Sequence, residues 1–131
     1  MRTEPIAGAG PDATFRSAID EGRFILQYCG ACRQHVFYPR LLCPRCGSPE
    51  LAWRPASGRG TVYSTTTVRQ QVEQGGPYNV SLIALEEGPR LMSRVVTSAP
   101  DDVRIGMPVS AYVGREDNAA VLLFRPAEDH P

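Results

Sequence analysis

Two cysteine pairs carry the most specific chemical signal in this sequence: Cys29-Gly-Ala-Cys32, ten intervening residues, then Cys43-Pro-Arg-Cys46. Two residues between cysteines let one tight turn aim both thiolates at a single ion, with backbone N–H groups of the turn available to the sulfurs. Tetrahedral Zn²⁺ takes four thiolates at about 2.3 Å and leaves no position for water, so the pattern predicts a structural ion and not a catalytic one. Rubredoxin-type iron uses similar spacing, and a disulfide or thiol-redox role is the other chemistry open to these residues. Gly47, directly after the second pair, suits a turn that needs positive φ. His35 lies between the pairs, but four sulfurs already complete a shell, so it is expected as a surface-loop histidine.

Other chemistry is poorly supplied. His35 and His130 are the two histidines, and His130 stands next to the last residue, where solvent is expected around it. That starves a Ser-His-Asp or Cys-His scheme. All fourteen basic residues are arginine, which excludes a lysine Schiff base or a P-loop lysine. The acidic pairs Glu86–Glu87, Asp101–Asp102 and Glu116–Asp117 are sequence neighbours. Neighbours in strands point apart, so each pair reads as a solvated turn and not as an acid/base couple.

The elements that must position the cysteines follow from pattern. The chain has 131 residues, 42% hydrophobic and 21% charged, which is the range of a folded soluble domain. Residues 1–11 read as a Gly/Pro-rich arm, and Asp12 as the N-cap of a helix from Ala13 to Glu21 with Phe15, Ala18 and Ile19 on its apolar stripe. Strands are expected over 24–28, 36–38 and 51–54, the last stopped by Pro55. Residues 24–54 are too few to bury an adequate core. A structural zinc supplies on the order of 10–16 kcal/mol in small metal-dependent folds. After a turn at Ser57–Gly60, five strands are expected at 61–68, 78–85, 90–97, 108–113 and 119–124. That is a mainly β half, matching a five-stranded Greek-key barrel such as an OB-fold, with an SH3-like barrel or small open sheet close behind. Trp53 is expected in the core joining the two halves, and Arg59 as a pin between them. The resulting division is an arm and helix (1–23), a cysteine lobe (24–56), a barrel (57–126) and a tail (127–131).

Formal net charge is zero, so the basic excess that drives phosphate binding is missing and a nucleic-acid partner is not expected. The first residues lack a signal-peptide core, and no apolar run reaches the ~20 residues of a membrane span, so a cytoplasmic protein is expected.

The order of features resembles a known family. A helix ending in Asp20-Glu21-Gly22-Arg23-Phe24 is followed by the first cysteine pair, Tyr38-Pro39-Arg40, and Cys43-Pro-x-Cys46-Gly47. Ser57-Gly-Arg-Gly-Thr-Val-Tyr63 and Ile105-Gly-Met-Pro-Val109 come later and are more specific than the cysteines. Over roughly residues 13–125 this resembles the zinc-ribbon plus OB-fold proteins called domain of unknown function 35. The resemblance implies a short N-terminal helix, a rubredoxin-like zinc ribbon with one zinc on Cys29, Cys32, Cys43 and Cys46, and a C-terminal OB-fold. It implies a non-catalytic accessory subunit of a thiolase-like enzyme in acyl-CoA condensation, retro-aldol cleavage or acyl transfer, helping to bind or channel the acyl-CoA. A nucleic-acid-binding OB module and a stand-alone acyl-CoA enzyme are the alternatives. For a CoA thioester, Arg33, Arg40 and Arg45 offer guanidinium groups for phosphates, and Tyr38 a flat face. One departure is Arg33, where such proteins often have glycine after the second cysteine.

Overall fold

A computed structural model of the chain describes residues 10–97 and 99–127. Most of the expected N-terminal arm, and the tail with His130, fall outside the described residues. One helix, α1 (Pro11–Asp20), precedes eight strands: β1 (Ile25–Cys29), β2 (Gln34–Val36), β3 (Leu51–Pro55), β4 (Arg59–Val68), β5 (Tyr78–Leu85), β6 (Arg90–Ser93), β7 (Pro108–Glu116) and β8 (Ala119–Pro126).

Helix α1 starts earlier than Asp12 suggested. Gly10 is the N-cap without a side-chain cap, and Pro11 occupies the first turn, where its missing N–H costs nothing. Asp12 sits inside that turn, facing the positive end of the helix dipole. Gly22, at φ +84°, ends the helix as expected, and Arg23 N–H donates back to Ala18 O at 2.8 Å. Ala18 and Ile19 are buried, and the Phe15 ring meets Phe24 and Phe37 edge-on at 6.4 and 5.5 Å.

The first sheet has the order β2-β1-β3, all antiparallel. The expected strand at 36–38 instead ends at Val36. Phe37 and Tyr38 have strand propensity, but the chain leaves the sheet there because Arg40, two residues on, is fastened to Gln27 in β1. The second sheet has the order β6-β5-β4-β7-β8, so the fourth strand lies beside the first, as in a Greek key. The sheet curls until its edges meet. Val95 bridges Phe124 in parallel, Phe124 N–H donates to Arg94 O at 3.0 Å, and Val96 N–H donates to Phe124 O at 2.8 Å. This is a mainly β chain with an OB-like, curled five-stranded sheet. The expected long strand at 90–97 therefore stops at Ser93, because the residues after it turn to pair with β8. The β7–β8 turn is also tighter than expected. Asp117 and Asn118 supply it at φ 52° and 66°, and Gly114 stays within β7.

Phe124, Ile83, Leu91, Val62, Val95 and Val109 fill the barrel and are nearly inaccessible. Leu26, from the first sheet, belongs to the same cluster, with Phe24, Phe37 and Ala56 packed against it. Trp53 does not join: it is half-buried on β3 and packs against neither buried cluster. The barrel also holds polar groups. Asn79 and Ser81 are 2% and 1% exposed. Asn79 Nδ2 donates to Thr65 Oγ1 (2.6 Å) and Thr66 O (3.3 Å), while its Oδ1 accepts from Ser81 Oγ (2.6 Å) and Val95 N–H (3.1 Å). Each buried polar atom there has a partner, as such burial requires.

Each residue of Ser57-Gly-Arg-Gly60 has a physical task. Ser57 N–H donates to Glu87 at 2.6 Å, and Ser57 Oγ accepts from Arg59 N–H at 3.1 Å. Gly58 takes φ +82°. Arg59 pairs with Glu86 at 2.7 Å, and its hydrogen bond and charge hold that carboxyl below the usual range. Arg59 thus pins β4 to the β5–β6 turn within the barrel; it does not pin ribbon to barrel. A Cβ on Gly60 would lie 2.7 Å from Ile83 Cγ2 and 3.0 Å from Ala84 O. Ile83 is fully buried and the carbonyl is backbone, so neither can give way. Gly60→Ala is expected to lower unfolding free energy by about 1–3 kcal/mol, measured by urea denaturation of the zinc-loaded chain.

Candidate metal centre

Two turns of nearly identical construction deliver the four sulfurs. In the first, after β1, Arg33 N–H donates to Cys29 O at 2.8 Å and Cys32 N–H lies 3.5 Å from Cys29 Sγ. In the second, Gly47 N–H donates to Cys43 O at 2.8 Å and Arg45 N–H lies 3.4 Å from Cys43 Sγ. Both turns close with a left-handed residue, Arg33 at φ 62° and Gly47 at φ 78°. The departure noted at Arg33 therefore leaves the turn intact but places a non-glycine residue where a Cβ is strained. The sheet register β1–β2, with Cys29 opposite Gln34, fixes the first turn, and Cys43 N–H to Ser48 O at 2.9 Å braces the second.

All four Sγ atoms lie within 4.8 Å of one another. Cys29 Sγ is 3.6 Å from Cys46 Sγ, and Cys32 Sγ is 3.7 Å from Cys43 Sγ. Sulfurs at the corners of a tetrahedron about 2.3 Å from a shared centre would be about 3.8 Å apart. The cysteines are not joined as disulfides. Cys29 and Cys43 are buried and Cys32 is half-buried, so three of the sulfurs are set back from solvent. The thiols resist ionising together. Burial, then hydrogen bonds from Cys43 and the other thiols, pushes Cys32 up to about 12. The backbone N–H of Cys46, then that of Arg45, pulls Cys43 down to about 6 against burial. A soft dication is the group that would let all four give up their protons. The residues fit a Cys₄ zinc.

Sequence reasoning missed the clamp beside this centre. Gln27 is 4% exposed on β1. Its Nε2 donates to Arg40 O at 2.8 Å, and its Oε1 accepts from Arg40 N–H at 2.7 Å. A lone amide residue inside an otherwise apolar strand is the signal that could have found it. His35 is not on a surface loop. It is half-buried in β2, with its ring 4.9 Å from that of Tyr28.

The four candidate CoA contacts do not converge on one cavity. Arg45 lines a cleft of about 230 Å³ between the lobes, with Gln34, Phe37 and Pro44 on one side and Glu87 and Pro89 on the other. Arg33, Arg40 and Tyr38 do not line it. Tyr38 is exposed with its ring tilted against Phe37, 4.5 Å between centroids. Two larger concavities, about 510 and 520 Å³, adjoin on the barrel around Tyr78, Asn79, Arg94, Glu116 and Leu123. Arg94 and Glu116 form an ion pair there, so Glu116 is not a simple solvated turn residue.

Residues 16–52 match the family model of the ChsH2 rubredoxin-like zinc ribbon domain, and residues 53–114 that of the ChsH2 C-terminal OB-fold domain. A solved structure of an Ltp2-ChsH2(DUF35) aldolase is 34% identical, with a TM-score of 0.77 over 88% of this chain and 94% of that one. The chain belongs to the DUF35 family. Its relatives include a probable enoyl-CoA hydratase alpha subunit from Thermomonospora curvata, 34% identical over 88% of this chain and 37% of that protein. A DUF35 domain-containing scaffold protein from Methanocaldococcus jannaschii is 36% identical over 66% of this chain and 64% of its own. The DUF35 chain thus spans less than two thirds of these curated relatives. Among its described residues, no helix is long and apolar enough to cross a membrane.

Two kinds of outcome, in stability and in proton release, are expected of the knuckles. Arg33→Gly should raise stability by about 0.5 kcal/mol, relief of the left-handed strain exceeding the added chain entropy. Gly47→Ala should lower it by about 1 kcal/mol, both read from thermal unfolding with zinc bound. Second, Cys43 enters the metal-free fold as thiolate above about pH 6 and as thiol below. Zinc uptake at pH 5 should therefore release about one proton more than at pH 8, measured by calorimetry in buffers of different ionisation enthalpy. Equal release would show that the knuckle is not preformed.

Proposed function

We propose that this DUF35 chain is a non-catalytic subunit that carries one structural zinc on Cys29, Cys32, Cys43 and Cys46, and assembles in the cytoplasm with a thiolase-like enzyme whose acyl-CoA it helps hold or channel. The observation that carries the reading is the likeness over nearly the full length to a chain solved as an Ltp2-ChsH2(DUF35) aldolase. The converging sulfurs support the zinc, and reduced cysteines in a metal knuckle suit a reducing compartment. Two histidines and no lysine leave histidine- and lysine-based schemes poorly supplied, which supports assigning the chemistry to a partner. Ser57–Gly60 is the turn at which we place the boundary between ribbon and barrel. Arg33, Arg40, Arg45 and Tyr38 are exposed on the ribbon, open to CoA phosphates and adenine once a partner closes over them.

Purification of the tagged chain from its host should recover a thiolase-like enzyme in stoichiometric amount, and metal analysis should return one zinc per chain. Turnover of acyl-CoA by the isolated chain would overturn the non-catalytic assignment. A folded, metal-free preparation with four reactive thiols would overturn the zinc.

A further inference from the structure

The loop between the two knuckles has a construction that the metal site alone does not require. Tyr38, Leu41 and Leu42 are 55%, 76% and 54% exposed, within five residues of one another. Neither leucine packs against either buried cluster. Such a loop would gain by folding its leucines inward or moving freely, yet the Gln27 amide holds it at Arg40 by two hydrogen bonds from inside the sheet. A fixed apolar projection loses little conformational freedom on docking, which is how preorganised contacts gain affinity.

Charge along the ribbon, which includes Arg40 in the loop itself, is one-sided. Residues 24–54 hold four arginines and one glutamate, although the whole chain is neutral. Arg54 is engaged over the Tyr28 ring at 3.7 Å. Among the described residues, no ion pair or side-chain hydrogen bond occupies Arg33, Arg40 or Arg45. We infer that the Tyr38–Leu42 loop is the docking knob for the enzyme subunit, seated in an apolar depression of that subunit rimmed by carboxylates. This inference rests on the reading of the chain as a subunit of an acyl-CoA enzyme.

The test uses the thiolase-like enzyme recovered with the wild-type chain, and the full-length variants Leu41→Glu, Leu42→Gln, Arg40→Glu and, on the barrel, Met92→Glu. Zinc content and circular dichroism establish that each is folded. Leu41→Glu should weaken assembly at least about tenfold, Leu42→Gln and Arg40→Glu less, and Met92→Glu not at all. The Arg40→Glu loss should shrink as salt is raised. Assembly unchanged by Leu41→Glu, or lost only with Met92→Glu, overturns the knob while leaving the subunit reading intact. Self-association of the wild type that Leu41→Glu abolishes makes a second copy the occupant and also overturns it. Wild type that assembles with no acyl-CoA enzyme removes the subunit reading, and the knob with it.

Discussion

Four thiols held within 4.8 Å of one another cannot all shed their protons unless a cation takes the place of those protons. The ribbon is organised around that constraint. Its three strands are three to five residues long, and its own buried cluster is little more than Cys29, Val36 and Cys43. Sulfur–metal bonds would do there what packed side chains do in the barrel, which is why so small a lobe can hold an exposed loop in a fixed shape.

Strand β1 connects the two regimes. Successive side chains alternate faces, so Gln27 and Cys29 turn toward the knuckles and the loop. Leu26 turns the other way and is counted among the barrel's own core. Only two residues, Gln27 and Tyr28, therefore separate a metal ligand from the hydrophobic centre of the barrel. Helix α1 seals this junction through Phe15, Ala18 and Ile19. Through Leu26 the ribbon reaches into the barrel's core, and Ser57–Gly60 is a tightly bonded corner and not a loose linker.

Much of this was legible in the sequence because the governing interactions are local. The cysteine spacing specifies the knuckles, the 15/18/19 stripe specifies the helix face, and the β-branched runs specify the barrel strands. The larger misses arise where a distant partner decides. Strand β2 is cut short by the Gln27 clamp, β6 by its bridge to β8, and Trp53 lies apart from both cores although its size suggested otherwise. Arg33, Arg40 and Arg45 looked like a cluster because they are close in sequence. Strand and turn geometry set them at different places on the ribbon, and only Arg45 reaches the inter-lobe cleft.

The polar cluster inside the barrel has a consequence for strand alignment. Along β5, Asn79, Ser81, Ile83 and Leu85 are buried, while Val80 and Leu82 are only partly covered. Sliding β5 by one residue would turn the valine and leucine in and the amide and hydroxyl out, an exchange that oil–water partition favours at those two positions. It would also strip Val95 N–H of its acceptor on Asn79, beside the parallel bridge that joins the barrel's edges. The slip would also expel Ile83 and Leu85, so the alignment rests on their burial farther along the strand and, at this end, on hydrogen-bond matching against the local hydropathic preference. A barrel aligned in the greasier way would be left with an unlocked seam.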